Sequence, residues 1–281
     1  ISNLQTVIAQ TMPLIGDNCT GKCAENVSAY IYETFKPVVT AGDCVADEAP
    51  IRRLTRYEYS NTIADLLEDF SRPGNDLPSE QIGNGFGNDA TALSVSNLLV
   101  ERYATNAERI AKNLVEDNLR WQTLHSCTQN INGVGESQCA RSIIANLLTD
   151  AYRRPVTDDE VNRHLDLKRS VRTDNDFKSS IAAVVEAVLQ SPDFLYRVEH
   201  GEFNVSENKL KPNAYELASR LSYLFWGSMP DQELLDSARN GGLSTKDGVL
   251  NQAARLLDDP RSRAVVRFFF DDYLPLALIQ I

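Results

Sequence analysis

Apolar residues recur along most of this chain at the three- and four-residue spacing of an amphipathic helix, and strand-like alternation is missing. Thr55 and Glu58 have the spacing of a capping box at a helix start. The apolar face that follows consists of Tyr59, Ile63, Leu66, Leu67 and Phe70. The pattern predicts an all-α fold made of multi-helix orthogonal bundles.

Start signals of the same kind recur downstream. A second helix is predicted from about Ser96 to Val115, with a buried stripe of Val100, Tyr103, Ala104, Ala107, Ile110, Ala111 and Leu114. Further helix starts are predicted at Thr157, Asp176, Ser191, Pro212, Pro230, Ser244 and Asp259. Gly227 is expected to end the helix that contains Trp226.

Two stretches interrupt the helical pattern. Residues 41–50 have the composition of a linker, and residues 71–92 form a long segment rich in glycine. Loops longer than about 12 to 15 residues within a compact domain are commonly functional or disordered. The 71–92 segment is therefore a candidate functional loop.

Composition places the chain among globular proteins, because 42% of its 281 residues are hydrophobic and 24% are charged. No apolar run approaches the ~18 to 20 residues that cross a bilayer, so we expect no membrane span in this segment. The net charge of −11 and the absence of a basic stripe argue against nucleic acid as a partner. The apolar end of the sequence suggests a piece of a longer protein.

Five cysteines are present, and none has the Cys-x-x-Cys spacing of zinc or redox sites. Cys127 and Cys139 flank a polar loop, and a disulfide closing it would contribute ~3 kcal/mol through chain entropy. A bridge between Cys19 and Cys23 is sterically allowed, which leaves Cys44 free or paired elsewhere. Disulfides indicate an oxidising compartment, the periplasm or the cell exterior.

Several phrases of the sequence together resemble the planctomycete-type cytochrome c family. They lie at residues 52–67, 85–88, 151–155, 191–199 and 217–231, and the resemblance covers roughly residues 51–276. It implies successive helical domains of no agreed activity beside a haem-bearing module, often with carbohydrate-binding modules. The expected division is a cytochrome c-like tail at 1–40, a linker at 41–50, and helical domains at 51–120, 121–205 and 206–281, the last incomplete.

The same resemblance gives Met12 a role. In the tail of a class I cytochrome c a methionine-donating loop precedes the last helix, so Met12 would be the distal ligand of the iron of haem c. The sequence departs from the family here, because it contains no Cys-x-x-Cys-His for covalent attachment of a haem. Met12 also fits an ordinary turn or core residue.

The sequence gives weaker signals for a calcium site, a glycosidase site or an aromatic binding surface. Asp76, Asn88 and Asp89 in the 71–92 segment carry the oxygen donors that calcium prefers, although an EF-hand spacing is absent. Two facing carboxylates there would indicate a glycosidase, but sequence cannot select them among 39 acidic residues. An exposed aromatic strip with Phe86, Trp121 or Trp226 would indicate a binding module, and Trp226 also fits the core.

These observations favour a non-catalytic helical scaffold in a periplasmic or secreted c-type cytochrome. The resemblance implies support of electron transfer with a redox partner protein, in connection with oxidative polysaccharide degradation. The alternatives are a module that binds a glycan or a protein, and a carbohydrate-active hydrolase with its site near residues 71–92. Interhelical salt bridges of Arg153, Arg154 and Arg220 with Glu199 and Glu216 are expected to hold the distinctive phrases together.

Overall fold

The computed structural model describes residues 20–35, 51–83, 86–90, 92–124, 127, 135–204 and 209–273. The chain folds into two compact units, 1–48 and 49–281. In the first unit the structure describes helix α1, Lys22–Phe35, on which Ala24 and Ser28 are buried. All further elements belong to the second unit. The predicted all-α fold is confirmed.

Helix α2, Arg56–Leu67, begins where the capping box predicts. The Thr55 side chain accepts from the backbone N–H of Glu58, and the Glu58 side chain accepts from the backbone N–H of Thr55. The helix ends at Glu68, which has a left-handed φ of 53°. Phe70 therefore lies beyond the helix and is 75% exposed, so its predicted place on the buried face was wrong.

Helix α3, Asn97–Glu116, is capped by Ser96, as predicted, and α4 follows at Asn118–Leu124. The buried stripe of α3 runs through Leu99 and not through the predicted Val100, which is 55% exposed. The stripe contains Leu99, Tyr103, Asn106, Ala107, Ile110, Ala111, Leu114 and Val115. Leu99 and Val100 are neighbours in the first turn of α3, and their side chains point about 100° apart around the helix axis.

Four helices form the middle of the unit. They are α5, Glu136–Tyr152; α6, Asp158–Arg172; α7, Phe177–Leu189; and α8, Pro192–Leu195. The predicted N-caps Thr157, Asp176 and Ser191 each accept a hydrogen bond from the first turn that follows. Helix α7 packs against α3, α5 and α6, because Val184, Val185 and Val188 on it are all fully buried.

The last four helices are α9, Ala214–Trp226; α10, Gln232–Arg239; α11, Lys246–Asp258; and α12, Arg261–Tyr273. Asn213 caps α9, one residue after the predicted Pro212, and Thr245 caps α11 in place of Ser244. Gly227 ends α9 with φ 61°, as predicted. A Cβ at Gly227 would lie 2.6 Å from Cε1 of Tyr57, so both its backbone and its packing require glycine.

Four short strands accompany the helices in the described ranges. β1, Arg52–Arg53, pairs antiparallel with β2, Tyr196–Arg197, so that Arg52 faces Arg197 and Arg53 faces Tyr196. β3, Glu202–Asn204, pairs with β4, Lys209–Lys211. Strands of two or three residues are too short to show an alternating pattern in sequence, which is why none was expected.

Two hydrophobic clusters make up the described core. The larger one joins residues of α2, α3, α4, α5, α6, α7 and α8, and includes Tyr223 from α9. The smaller one lies among α9, α10 and α11 around Trp226. Trp121 and Trp226 are 5% and 1% exposed, so both indole rings belong to the core. No helix in the described ranges has the length and hydropathy that a membrane crossing needs.

Candidate functional site

The β1–β2 pair brings distant polar residues of the unit together. Arg52 and Arg197 are partners in the ladder, although they are far apart in sequence. Beside the ladder, Arg53 is buried and donates to the Tyr103 hydroxyl at 2.9 Å and to the Leu54 carbonyl at 3.1 Å. Arginine side chains are thus concentrated at one place in a fold that is acidic overall.

Arg153 organises the backbone next to this ladder. It ends α5 in a left-handed conformation, φ 58°, and its side chain is buried. The guanidinium group donates to three backbone carbonyls, those of Asp193 at 2.7 Å, Tyr196 at 2.8 Å and Phe194 at 3.1 Å. These carbonyls lie at the end of α8, where helical partners are missing. Arg153 therefore fixes the path of the chain from α8 into β2.

Tyr223 on α9 lies at the centre of these contacts. Its hydroxyl is 2.9 Å from Oγ1 of Thr62 and 3.5 Å from Nη1 of Arg153. The guanidinium carbons of Arg197 and Arg153 lie 5.1 and 5.8 Å from its ring centroid. Cations near an aromatic ring face are attracted to it. Tyr223 thus joins α2, α5 and β2 to α9.

The carboxylates here are all engaged. Glu58 accepts from Arg52 at 2.5 Å in addition to its capping bond. Glu199 accepts from Arg220, so the predicted ion pair is present, but it is not interhelical because Glu199 lies between β2 and β3. Glu216 instead accepts from the backbone N–H groups of His200 and Asn213, and its predicted salt bridge is wrong. The two oxygens of Glu216 together accept from the backbone N–H groups of His200, Gly201 and Asn213, which leaves little room for a charged partner.

Arg154 forms ion pairs, but not with the predicted Glu199 or Glu216, and the salt bridge predicted for Arg153 is wrong because that side chain donates to backbone carbonyls. The Arg154 guanidinium group binds Glu160 at 2.8 Å and Asp193 at 3.1 Å. Arg154, followed by the backbone and hydroxyl of Thr157, lowers the pKa of Glu160 from its ordinary 4.5 to about 2 against the opposing effect of burial. This carboxylate is held charged for structural reasons.

Arg197 differs from its neighbours. Its side chain is 13% exposed, and its contact to Glu199 is long, at 3.8 Å. Its Nε is buried without a hydrogen-bond partner among the described residues. Burial, and then the positive charge of Arg52, lower the pKa of Arg197. An arginine at such a site still carries its charge at neutral pH.

Arg197 faces a cavity of about 800 Å³ that we call the α2–α9–α12 cavity. Its polar lining consists of Arg52, Thr55, Tyr57, Glu58, Asn88, Arg197, Arg220 and Tyr223. The rest of its lining is apolar and includes Phe86, Leu224, Phe225, Leu257, Val265, Val266, Phe268, Phe269 and Phe270. It is the kind of concave, mostly apolar site with a few charged groups that small ligands occupy.

Stacked rings from α12 form one side of this cavity. Phe268 stacks on Tyr57 with centroids 5.2 Å apart, and Phe269 stacks on Phe86 at 5.6 Å. Phe268, Phe269 and Phe270 remain 45%, 48% and 46% exposed. These half-exposed rings at three successive positions of α12 leave apolar surface available for a ligand or a partner.

The 71–92 segment packs against α2 on the other side of the Tyr57–Phe268 stack. It contains a 3-10 helix, Pro73–Asp76, and the Arg56 side chain donates to the Gly74 carbonyl at 2.8 Å. A Cβ at Gly74 would lie 2.0 Å from the Arg56 carbonyl oxygen, so only glycine fits. A cavity of about 600 Å³ lies here, and Glu80 is the carboxylate among its described lining residues.

The residues predicted to bind calcium have separate surroundings. Asp76 is exposed and forms an ion pair with Arg109 at 3.2 Å. Asn88 lines the α2–α9–α12 cavity, and the backbone carbonyl of Asp89 accepts from Ala92 and Leu93. Within the described ranges no group of three or more His, Cys, Asp or Glu side chains is arranged to hold a metal ion.

The structure contains the predicted bond between Cys127 and Cys139, whose Cα atoms lie 5.5 Å apart. Cys23 is also disulfide-bonded. Its partner lies outside the described residues, as do Cys19 and Met12, so the Cys19–Cys23 pairing and the haem-ligand role of Met12 stay predictions.

Haem c does not fit the residues that are present. Covalent attachment needs two cysteine thiols and an adjacent histidine, and the chain has no Cys-x-x-Cys-His. The described cysteines are all bonded in disulfides. The described part of the chain therefore offers no attachment site for this group.

Comparison with protein families gives three matches in succession. Residues 52–116 match PSD3, residues 139–199 match PSD5 and residues 213–280 match PSD4, described as proteins of unknown function (DUF1587, DUF1595 and DUF1592). These domains occur in planctomycete cytochrome-c-associated proteins. The matches are consistent with the resemblance of the sequence. No curated protein and no solved structure matches the chain.

The three matched segments meet at Tyr223. Thr62 comes from the PSD3 segment, Arg153 and Arg197 come from the PSD5 segment, and Tyr223 comes from the PSD4 segment. Sequence reasoning missed this junction, as well as the row of phenylalanines on α12. The run Phe268-Phe-Phe270 next to charged residues was the available signal, because three successive rings cannot all face one side of a helix.

Proposed function

We propose that this chain is a non-catalytic helical scaffold in a c-type cytochrome of the periplasm or the cell exterior. It supports electron transfer between the haem-bearing part of the protein and a redox partner, in connection with oxidative polysaccharide degradation. The succession of PSD3, PSD5 and PSD4 segments supports the association with cytochrome c. The disulfide between Cys127 and Cys139 supports an oxidising compartment.

The observation that carries the scaffold role is the bonding of Arg153. In many enzyme sites a charged side chain keeps donors or acceptors free for a substrate, whereas Arg153 directs its donors to three backbone carbonyls. Glu58 and Glu216 are used in the same way, on helix caps. The distinctive polar residues thus hold the three matched segments in one unit.

In this proposal the haem is attached outside the described residues, to a Cys-x-x-Cys-His motif of another polypeptide segment or subunit. Met12 is then a candidate distal ligand that the N-terminal segment contributes. The helical unit of residues 49–281 holds the surface that the redox partner contacts. Electron transfer would depend on this geometry and not on an acid, base or nucleophile of the unit.

The test uses the native full-length protein. A pyridine haemochrome assay and a reduced-minus-oxidised spectrum establish whether haem c is present. Met12→Leu should alter the spectrum of the oxidised protein, whereas Met229→Leu, a change at the buried second methionine, should leave it intact. Arg153→Lys should slow reduction by the partner while the haem spectrum is retained. The proposal is contradicted if the protein contains no haem, or if the rate of reduction by the partner is unchanged in Arg153→Lys.

A binding module is the second candidate, favoured by the half-exposed rings of α12. Trp121 and Trp226 cannot serve it, because both are buried. Phe86 can, since it lines the α2–α9–α12 cavity. A hydrolase near residues 71–92 has less support, because its cavity presents Glu80 as the described carboxylate and that side chain accepts from the Arg56 backbone.

A further inference from the structure

The charges around the α2–α9–α12 cavity are unbalanced. Three guanidinium groups line it, those of Arg52, Arg197 and Arg220. Arg52 is paired with Glu58, and Arg220 donates to both carboxylate oxygens of Glu199. Glu199 is therefore shared, and Arg197 reaches it only at 3.8 Å. Three positive charges against two negative ones leave one charge of the cavity wall without a carboxylate.

Arg197 is also short of hydrogen-bond acceptors. Its Nε is buried with no partner among the described residues, and 3.8 Å to Glu199 exceeds hydrogen-bond range. A buried donor without an acceptor is costly, and native structures rarely keep one without a reason. Since Nε itself has almost no accessible surface, a carboxylate bound in the cavity would pair with the Nη end of this guanidinium group, which reaches Glu199 only at 3.8 Å.

The apolar part of the cavity lining fits an aromatic body. Phe268 and Phe269 present stacked rings, and Leu224 on α9 is 64% exposed. Phe269 is stacked on Phe86 and on Tyr273, so a flat ring would pack against the exposed parts of Phe268, Phe269 and Leu224 and bury apolar surface there. A purely polar anion would leave this surface in contact with water.

The volume agrees with a small molecule. Ligand cavities usually measure about 300 to 1,000 Å³, and this one measures about 800 Å³. We propose that the α2–α9–α12 cavity binds an aromatic carboxylate, with the carboxylate at Arg197 and the ring against Phe268 and Phe269. The occupant is chosen by complementarity of charge at the polar part of the lining and of shape at the apolar part.

Calorimetric titration of the whole chain with 2-naphthoate tests this assignment, with the neutral 2-naphthalenemethanol as the matched probe. 2-Naphthoate should bind at least about tenfold more tightly than the alcohol, because the neutral alcohol cannot form the charge-assisted hydrogen bonds of a carboxylate with Arg197. Arg197→Met should remove this preference. Arg197 also contacts the Tyr223 ring, so Arg197→Met could weaken binding by disturbing the fold. A second variant at an exposed residue of the cavity avoids this problem.

Leu224 is that residue. It lies one turn from Arg220 on α9, so Leu224→Glu would pair with Arg220 and place a negative charge in the cavity wall. We expect at least about tenfold weaker binding of 2-naphthoate to Leu224→Glu than to Leu224→Lys, because both changes remove the same apolar contact and differ in the sign of the charge that they introduce. Leu119→Glu, at a position that is 77% exposed on α4, is the control and should bind like the unchanged protein.

Three results would overturn the assignment. The first is no binding of 2-naphthoate, and the second is equal binding of the acid and the alcohol. The third is equal weakening by Leu224→Glu and Leu119→Glu. Sedimentation of the same samples addresses a competing occupant, because a dimer that Leu224→Glu dissociates, without binding of 2-naphthoate, would assign the cavity to a second copy of the chain.

Discussion

The hydroxyl groups of Thr62 and Tyr223 lie 2.9 Å apart and form a buried hydrogen bond between α2 and α9. The residues are separated by 161 positions and belong to the first and the last of the three matched segments. The same Tyr223 hydroxyl lies 3.5 Å from Nη1 of Arg153, in the middle segment. One phenol group thus connects all three segments.

Tyr223→Phe should destabilise the unit formed by residues 49–281. The change keeps the ring but leaves the fully buried Thr62 hydroxyl without its partner. Loss of a buried hydrogen bond of this kind costs about 1 to 2 kcal/mol of unfolding free energy. Urea unfolding followed by tryptophan fluorescence measures it, since Trp121 and Trp226 both lie in this unit. Tyr215→Phe, at a half-buried position, is the control, and equal effects would contradict the role of Tyr223.

Arg153→Lys should cost more, because an ammonium group cannot reach all three carbonyls that the guanidinium fork now binds. We expect a loss of roughly 2 to 4 kcal/mol. The neighbouring Arg154→Lys affects a partly exposed ion pair and should cost about 1 kcal/mol or less. Chemical unfolding of the two variants in parallel gives the comparison. A milder effect at Arg153 than at Arg154 would refute this account of Arg153.

The double variant Cys127→Ala, Cys139→Ala should lower the unfolding free energy by about 3 kcal/mol, because the bond closes a loop with a sequence separation of 12. Cys139 is fully buried and Cys127 is nearly so, which makes alanine a fair replacement. Urea unfolding without reductant is the measurement. Reductant should bring the unchanged protein close to the variant, and an undiminished stability of the variant would show that the bond contributes little.

Glu160→Gln should reveal a pH-dependent contribution. The folded-state pKa of Glu160 is lowered to about 2, chiefly by Arg154. A carboxylate with a lowered pKa stabilises the fold above its unfolded-state pKa, and this stability is lost as the pH falls towards 2. The unchanged protein should exceed the variant by roughly 1 to 2 kcal/mol at pH 7.

The difference between the two proteins should shrink between about pH 5 and pH 2, as stability curves at a series of pH values would show. Asp166→Asn, in an exposed ion pair with Arg169, is the control and should show a smaller difference at pH 7. A constant gap between the unchanged protein and Glu160→Gln across this range would mean that the charge of Glu160 does not stabilise the fold.

The candidate site was harder to predict than the helices. Arg220 with Glu199 was predicted as an ion pair and is one. Glu216 was assigned the same kind of partner, but its role in the capping box of α9 takes up its oxygens. The capping-box spacing of Asn213 and Glu216 is visible in the sequence, but the hairpin of β3 and β4 also brings the backbone of His200 to Glu216. Local sequence does not contain that information.

The sequence by itself determined where most helices begin and end and which cysteines close the loop before α5. A cap such as Thr55 with Glu58 acts within three residues, and a left-handed stop such as Gly227 is a property of one residue. Only the tertiary structure decided which arginines share a cavity. Arg52 faces Arg197, and Thr62 meets Tyr223, because buried apolar surface packs α2 against the later helices. Such burial is non-directional, so the apolar pattern specifies that a face is covered and leaves the covering element unspecified.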